Sequence, residues 1–170
     1  MKKNDSPVEF YEVQYMAKEQ PLMAIIVWAI AIFSWAVFAV QIIFGIPVGN
    51  NPAPYIWVWI IMIVFGSIFP AFMFNIRLET RVMDGEFGYR YFPLHLKWRT
   101  IRSGDIKKAE VTDYSGLKEF GGWGIRRNKR GKAYTVSGSR GVWITLKSGK
   151  EILFGSKKAE ELANALKRSG

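Results

Sequence analysis

The hydrophobic pattern of the chain changes character part-way along. Residues 22–46, LMAIIVWAIAIFSWAVFAVQIIFGI, and residues 55–76, YIWVWIIMIVFGSIFPAFMFNI, are apolar almost throughout and contain no charged side chain. Each exceeds the roughly 18–20 residues that a helix needs to cross a hydrocarbon core of about 30 Å. The segment between them, PVGNNPAP at 47–54, has the Pro, Gly and Asn of a tight turn. The first run is too long for the apolar region of a cleaved leader, and no A-x-A-like cleavage site follows it. Two such runs would also swamp the core of a 170-residue globule. The pattern predicts a transmembrane helical hairpin over 22–76, preceded by a short polar lead, 1–21.

After Asn75 the period becomes two. IRLETRVM sets Leu78, Thr80 and Val82 on one face and Arg77, Glu79 and Arg81 on the other. Asp84-Gly85 is a hairpin signal. EFGYRYF then alternates Phe87, Tyr89 and Tyr91 against Glu86, Gly88 and Arg90. Further strands are expected at KWRTI, KKAEVTDY, KAYTVSG, GVWITLK and EILFG, with breaks at Gly104-Asp105, Gly138-Ser139 and Ser148-Gly149. The last segment, SKKAEELANALKRSG, reads as a helix, with Ser156 as its N-cap and Leu162, Ala163 and Leu166 as an apolar stripe. Residues 77–170 therefore predict an α+β domain: about seven short strands in a small curved sheet or barrel, closed by one C-terminal helix. The second span enters the first of these strands almost without a linker, so membrane and sheet should be mechanically coupled.

Charge gives the pattern an orientation. The net charge is +10, and residues 77–170 hold 21 Lys/Arg against 10 Asp/Glu, whereas residues 1–21 hold three against four. The positive-inside rule places both termini and the large domain on the cytoplasmic side of the cell membrane. Tyr55, Trp57 and Trp59 then fall at the opposite interface, where an aromatic belt is expected. The spans contain four polar side chains, Ser34, Gln41, Ser67 and Asn75, and none that ionises. Proton and ion pathways need ionisable groups at membrane depth, which argues against a pump or carrier. Asn75 falls at a helix end, where water can reach it, and Gln41 is expected to bond to the other span or to a second copy of the chain. Pro70 should kink the second span or be absorbed by a local adjustment.

The chemistry of the chain is sparse. Without cysteine there are no disulfides, thiolate metal sites or cysteine nucleophiles. GIRRNKRGK fails as a phosphate-binding loop, because Arg126 stands where the first glycine is required and Ala133 replaces the hydroxyl. SGSRG fails as a nucleophile elbow, since Ser137 occupies its first glycine position. His95, the single histidine, is assigned a structural or surface role, and Asp105 caps a turn. Asp113 and Tyr114 lie near a strand end, and no spacing argues for a catalytic carboxylate pair. No catalytic residue, metal site or cofactor is expected.

What remains is FGGWGIRRNKRGKAYTVSG, residues 120–138. Gly121, Gly122 and Gly124 allow backbone shapes that a Cβ forbids. They surround Trp123, read either as a core plug, which the glycines favour, or as an exposed interfacial anchor. Arg126, Arg127, Lys129, Arg130 and Lys132 are read as the tip of a loop leading into AYTV. That tip can be solvated, or can meet anionic lipid headgroups at roughly 1 kcal/mol per cation. A membrane-protein partner or further copies of the chain are also open. Nucleic acid is disfavoured, because aromatic side chains do not interleave with the charges.

Several stretches together resemble the bacterial pleckstrin-homology-like membrane proteins: VMDGEFGYRYFPLHLKWRTI, GDIKKAEVTDY, FGGWGIRRNKRGKAYTVSGSRGVWITLKSGKEILFGS and AEELANAL. The arrangement GGWGIR…AYTVSG…GV, with Gly121, Gly122, Gly124, Tyr134 and Gly138, is the specific part, and resembles a subgroup of uncharacterised membrane proteins in which it recurs. The resemblance implies a split-barrel fold on the cytoplasmic face and no catalytic residues. It does not imply phosphoinositide binding, since the corresponding turn, RVMDGEFG, sets two acids beside one arginine. The function expected is that of a membrane-anchored, non-catalytic interaction module docking anionic lipid headgroups or a protein partner. The competing readings are an accessory subunit of a membrane enzyme or transport complex, and a small oligomeric pore.

Overall fold

The computed structural model describes residues 8–169; Lys2, Lys3 and Asp5 of the lead lie outside them. Among the described residues, two helices are long and apolar enough to cross a membrane, Pro21–Ile43 and Tyr55–Asn75. The first comprises α2 (Pro21–Phe38) and a wide π-helical turn, Ala39–Ile43. The second comprises α3 (Tyr55–Ile63), a π-helical turn at Val64–Ile68, and α4 (Phe69–Asn75). Pro70 has no N–H to offer the carbonyl of Gly66, four residues back. The Trp35 indole donates to that carbonyl from the other helix at 3.1 Å, and Gly66 has no Cβ to obstruct the ring. Proline is thus absorbed by the adjacent π-helical turn and a cross-helix hydrogen bond. Gln41 donates to Ala53 O at 2.6 Å and Ser34 to Ile30 O at 2.8 Å, so both find partners within the chain. Asn75 turns back onto Ala71 O at 2.7 Å.

The other described residues form a sheet-rich domain of nine strands in two sheets. The first sheet is an antiparallel meander: β1 (Phe10–Tyr15), β2 (Arg77–Met83), β3 (Glu86–Phe92) and β4 (Arg99–Arg102). The second contains β5 (Ile106–Asp113), β6 (Gly124–Arg127), β7 (Lys132–Thr135), β8 (Arg140–Leu146) and β9 (Glu151–Gly155). Its order is β5-β8-β9-β7-β6, and β7 and β9 run parallel. The seven expected strands are all present, and β1 and β6 are additional. The α-helix α5 (Gly116–Phe120) follows β5, and α6 (Ala159–Arg168) ends the chain.

The lead is therefore more than a polar tail. Its β1 pairs with β2 along its whole length, from Phe10↔Val82 to Tyr15↔Arg77. The short helix α1 (Met16–Glu19) then carries the chain into α2. Glu12, buried in β1, reaches α6: its carboxylate accepts from Ser156 Oγ at 2.6 Å and Lys157 N at 3.0 Å. Ser156 does not act as the N-cap, which is Lys158; it relays Glu12 to the helix by accepting from Lys158 N at 3.0 Å. Gln14 donates to Gly155 O at 2.9 Å, and Gln20 to Val136 O at 3.2 Å. Three polar side chains of the lead so fasten it to the second sheet and the last helix.

One apolar core joins the two sheets to α6. Leu78, Phe87, Tyr91, Val142, Phe154 and Leu162 are among its fully enclosed members. The core continues through Met16 and Ile76 to Met23 and Met73, which belong to the two long helices. A smaller core lies on the other face of the second sheet, where Phe120 of α5 covers Trp143, Leu153 and Tyr114.

Candidate functional site

The glycine-rich stretch is the wrapping of that smaller core. Ser115 caps α5 by accepting from Lys118 N at 3.3 Å, and Gly121 ends the helix in the left-handed region at φ 66°. Gly122 and Gly124 also have positive φ, 124° and 116°, so the chain reverses here as only glycine allows without strain. The reversal lays Trp123 on Gly116, where a Cβ would stand 2.8 Å from the indole nitrogen. Trp123 Nε1 donates to Gly138 O at 3.0 Å, tying the two halves of the motif together. The ring is half-buried, neither a core plug nor a free anchor. Its outer side faces a groove of about 300 Å³ lined by Met16, Gln20, Leu22, Met23 and Ile26, at the root of the first long helix.

The five cations do not form one loop tip. Arg126 and Arg127 are on β6, Lys132 is on β7, and Lys129 and Arg130 occupy the turn between. Asn128 builds that turn by accepting from Arg130 N at 2.9 Å and Gly131 N at 3.0 Å. Arg130 is tied down: it bonds Glu151 at 2.6 Å and lies 4.2 Å from the Trp143 ring centroid. That hydrogen bond holds the Glu151 carboxyl below its usual range. Arg126 Nε turns back to Trp123 O at 3.3 Å, and Lys132 Nζ lies 4.9 Å from the Tyr134 ring centroid. Arg127 and Lys129 are exposed. Val136 and Ser137, at the far end of the hairpin, meet Gln20 and Glu19 next to the long helices. Val136 is six positions along the chain from Arg130, at most about 20 Å at 3.3 Å per position. The turn is thus at the opposite end of the hairpin from the helix roots.

The helix roots carry a different set of charges. Arg77 follows the second long helix closely and faces Phe92 across the β2–β3 ladder. Its guanidinium lies 4.3 Å from the Phe92 ring centroid and 5.7 Å from that of Tyr15. Arg81 and Arg90 lie 4.3 Å and 5.0 Å from the Trp98 ring. Glu79, buried between them, binds Arg77 at 2.6 Å and Arg90 at 2.5 Å. This row of cations and rings fixes the outer face of the first sheet beside the helices. The alternation of Arg77, Glu79 and Arg81 made that face legible in the sequence; the aromatic partners, 15 to 98 in chain position, were not.

A polar cleft of about 510 Å³ completes the junction, lined in part by Glu19, Gln20, Trp123, Ser137, Arg140 and Lys157. Its cations are paired: Lys157 bonds Glu19 at 2.7 Å, and Arg140 bonds Glu160. Among the described residues, no group of three or more His, Cys, Asp or Glu side chains is placed to hold a metal ion. His95, within the β3–β4 loop, packs against Tyr89 and Tyr134, ring centroids 6.5 Å and 5.8 Å away. Burial, then Arg99 and Lys132, hold its pKa below the ordinary histidine value. Its Nδ1 is buried without a hydrogen-bond partner.

The chain belongs to a family of unknown function, DUF6141, whose family model matches residues 1–169. No curated protein and no solved structure matches it.

Proposed function

We propose that the protein is a two-span membrane protein whose pleckstrin-homology-like domain is held at the cytoplasmic face as a non-catalytic interaction module. The observation that carries this reading is the join between domain and helices. β1 runs through α1 into the first long helix, the second long helix runs into β2, and these two strands pair side by side at Tyr15↔Arg77. Met23 and Met73 extend the domain core into the helices. A domain fastened in this way cannot leave the bilayer surface, and its face near the helix roots is the one that headgroups meet. Arg77, Arg90, Arg140 and Lys157 lie on that side in ion pairs with Glu79, Glu160 and Glu19, and exposed Lys18 lies there too. Headgroups that compete for these cations, at no more than roughly 1 kcal/mol gross each, support anionic lipid as the ligand. Two sheets packed on a C-terminal helix support the pleckstrin-homology-like reading of the fold.

The test is thermal unfolding of the full chain in nanodiscs of zwitterionic lipid, with and without phosphatidylglycerol, across a salt series. Docking to anionic headgroups predicts a higher melting temperature in the anionic discs that falls towards the zwitterionic value as salt rises. Equal melting temperatures at low salt would refute lipid docking and leave a protein partner as the ligand.

A further inference from the structure

Two neighbouring leucines outside the long helices are largely exposed: Leu94 is 58% exposed and Leu96 71%. Both belong to the loop 93–98, PLHLKW, between β3 and β4. Its placement is set by the ladder. β3 runs antiparallel to β2 and so heads back towards the helices, ending at Phe92 opposite Arg77, two residues beyond Asn75. The loop leaves the sheet at that level, turning through a His95 N to Tyr91 O hydrogen bond of 2.8 Å. The chain alternates within it. His95 turns inward to Tyr89 and Tyr134, and its neighbours Leu94 and Leu96 are left facing out. Trp98 returns to the sheet under Arg81 and Arg90, which fixes the far end of the loop. Lys97 and Arg99 flank the leucines and are exposed.

We infer that the 93–98 loop is a third membrane contact, with Leu94 and Leu96 seated in the interfacial layer of the bilayer and Lys97 and Arg99 at its headgroups. The inference rests on the two-span reading above. The bilayer is the occupant that fits, for two reasons. The loop starts level with the end of a bilayer-length helix, so its apolar tip continues the apolar surface of that helix. Its apolar side chains are short and bordered by cations, the composition that suits an interface with anionic lipid.

The chain has no native cysteine, so single cysteines report single positions. Leu94→Cys, Leu96→Cys, Phe33→Cys and Lys147→Cys full-length variants would each carry an environment-sensitive fluorophore. They would be reconstituted in vesicles of phosphatidylcholine and phosphatidylglycerol with and without acyl-chain-brominated lipid. Phe33 is 70% exposed on the first long helix and reports the bilayer interior. Lys147 follows β8, seven residues from Arg140 at the polar cleft, and reports the distal end. The expected result is quenching by brominated lipid at Phe33, Leu94 and Leu96, with blue-shifted emission, and none at Lys147. Quenching at Phe33 with Leu94 and Leu96 behaving like Lys147 would overturn the inference and leave the two-span reading standing. Absence of quenching at Phe33 would overturn both.

Discussion

Glu12 is the residue on which the N-terminal strand and the C-terminal helix depend together. Its side chain is 8% exposed and accepts hydrogen bonds from Ser156 Oγ and Lys157 N. Hydrogen bonds to a charged group contribute roughly 1.5–3 kcal/mol each. Removing the carboxylate also relieves its desolvation, which offsets part of the loss. Glu12→Ala should therefore destabilise the domain by about 2–4 kcal/mol, a fall in melting temperature on the order of 10 °C or more for a domain this size. Glu12→Gln keeps one acceptor oxygen and should lose about half as much. Urea unfolding in detergent, followed by near-UV circular dichroism, gives the global value. Hydrogen exchange gives the location, with the amides from Lys157 into the first turn of α6 losing protection ahead of the β8–β9 ladder. An alanine variant within about 0.5 kcal/mol of the wild type, or uniform loss of protection, would refute the assignment of Glu12 as the link.

Other consequences are as direct. Trp35→Phe deletes the donor to Gly66 O while keeping the ring, and should weaken helix–helix association by about 0.6–1 kcal/mol in a detergent unfolding titration. A Cβ at Gly141 would stand 2.5 Å from Phe154 O, so Gly141→Ala forces the β8–β9 ladder apart and should cost about 1–3 kcal/mol, read by the same titration. His95 has a depressed pKa, so folding favours its neutral form and that contribution is complete above the unfolded pKa of about 6.5. It is lost as pH falls from there towards the folded value, and a melting-temperature profile over this range should be flatter for His95→Gln than for the wild type.

The parts of the fold that follow the hydrophobic pattern are legible in the sequence. Both long helices and the strands with a clean period of two, such as β2 and β3, are examples. β1 was hidden because its pattern is inverted. Phe10, Glu12 and Gln14 face inward and Tyr11 is exposed, so the buried face is two-thirds polar and the exposed face reads as apolar. Only the partners of Glu12 and Gln14, more than 140 residues away, make that face suitable for burial. β6 is not legible in the sequence because Gly-Ile-Arg-Arg is too short to show alternation. The consequence is practical: a fragment of residues 77–170 lacks β1 and is not the folded unit. The candidate site was legible as composition and not as geometry. The cations of the 126–132 stretch are adjacent in sequence, yet the hairpin divides them between two strands and a turn distant from the helix roots. The cations near the roots are scattered from Lys18 to Lys157 and are gathered only by the β1–β2 pairing and the return of α6.

The central claim is that the two long helices cross the membrane once each and leave the domain on the cytoplasmic side. Cysteine accessibility in intact cells tests it most directly, using Asn50→Cys in the loop between the helices and Lys147→Cys in the domain. A membrane-impermeant maleimide should label Asn50→Cys in intact cells and Lys147→Cys only after permeabilisation. Labelling of Lys147→Cys in intact cells, or release of the chain from membranes by alkaline carbonate, would contradict the account.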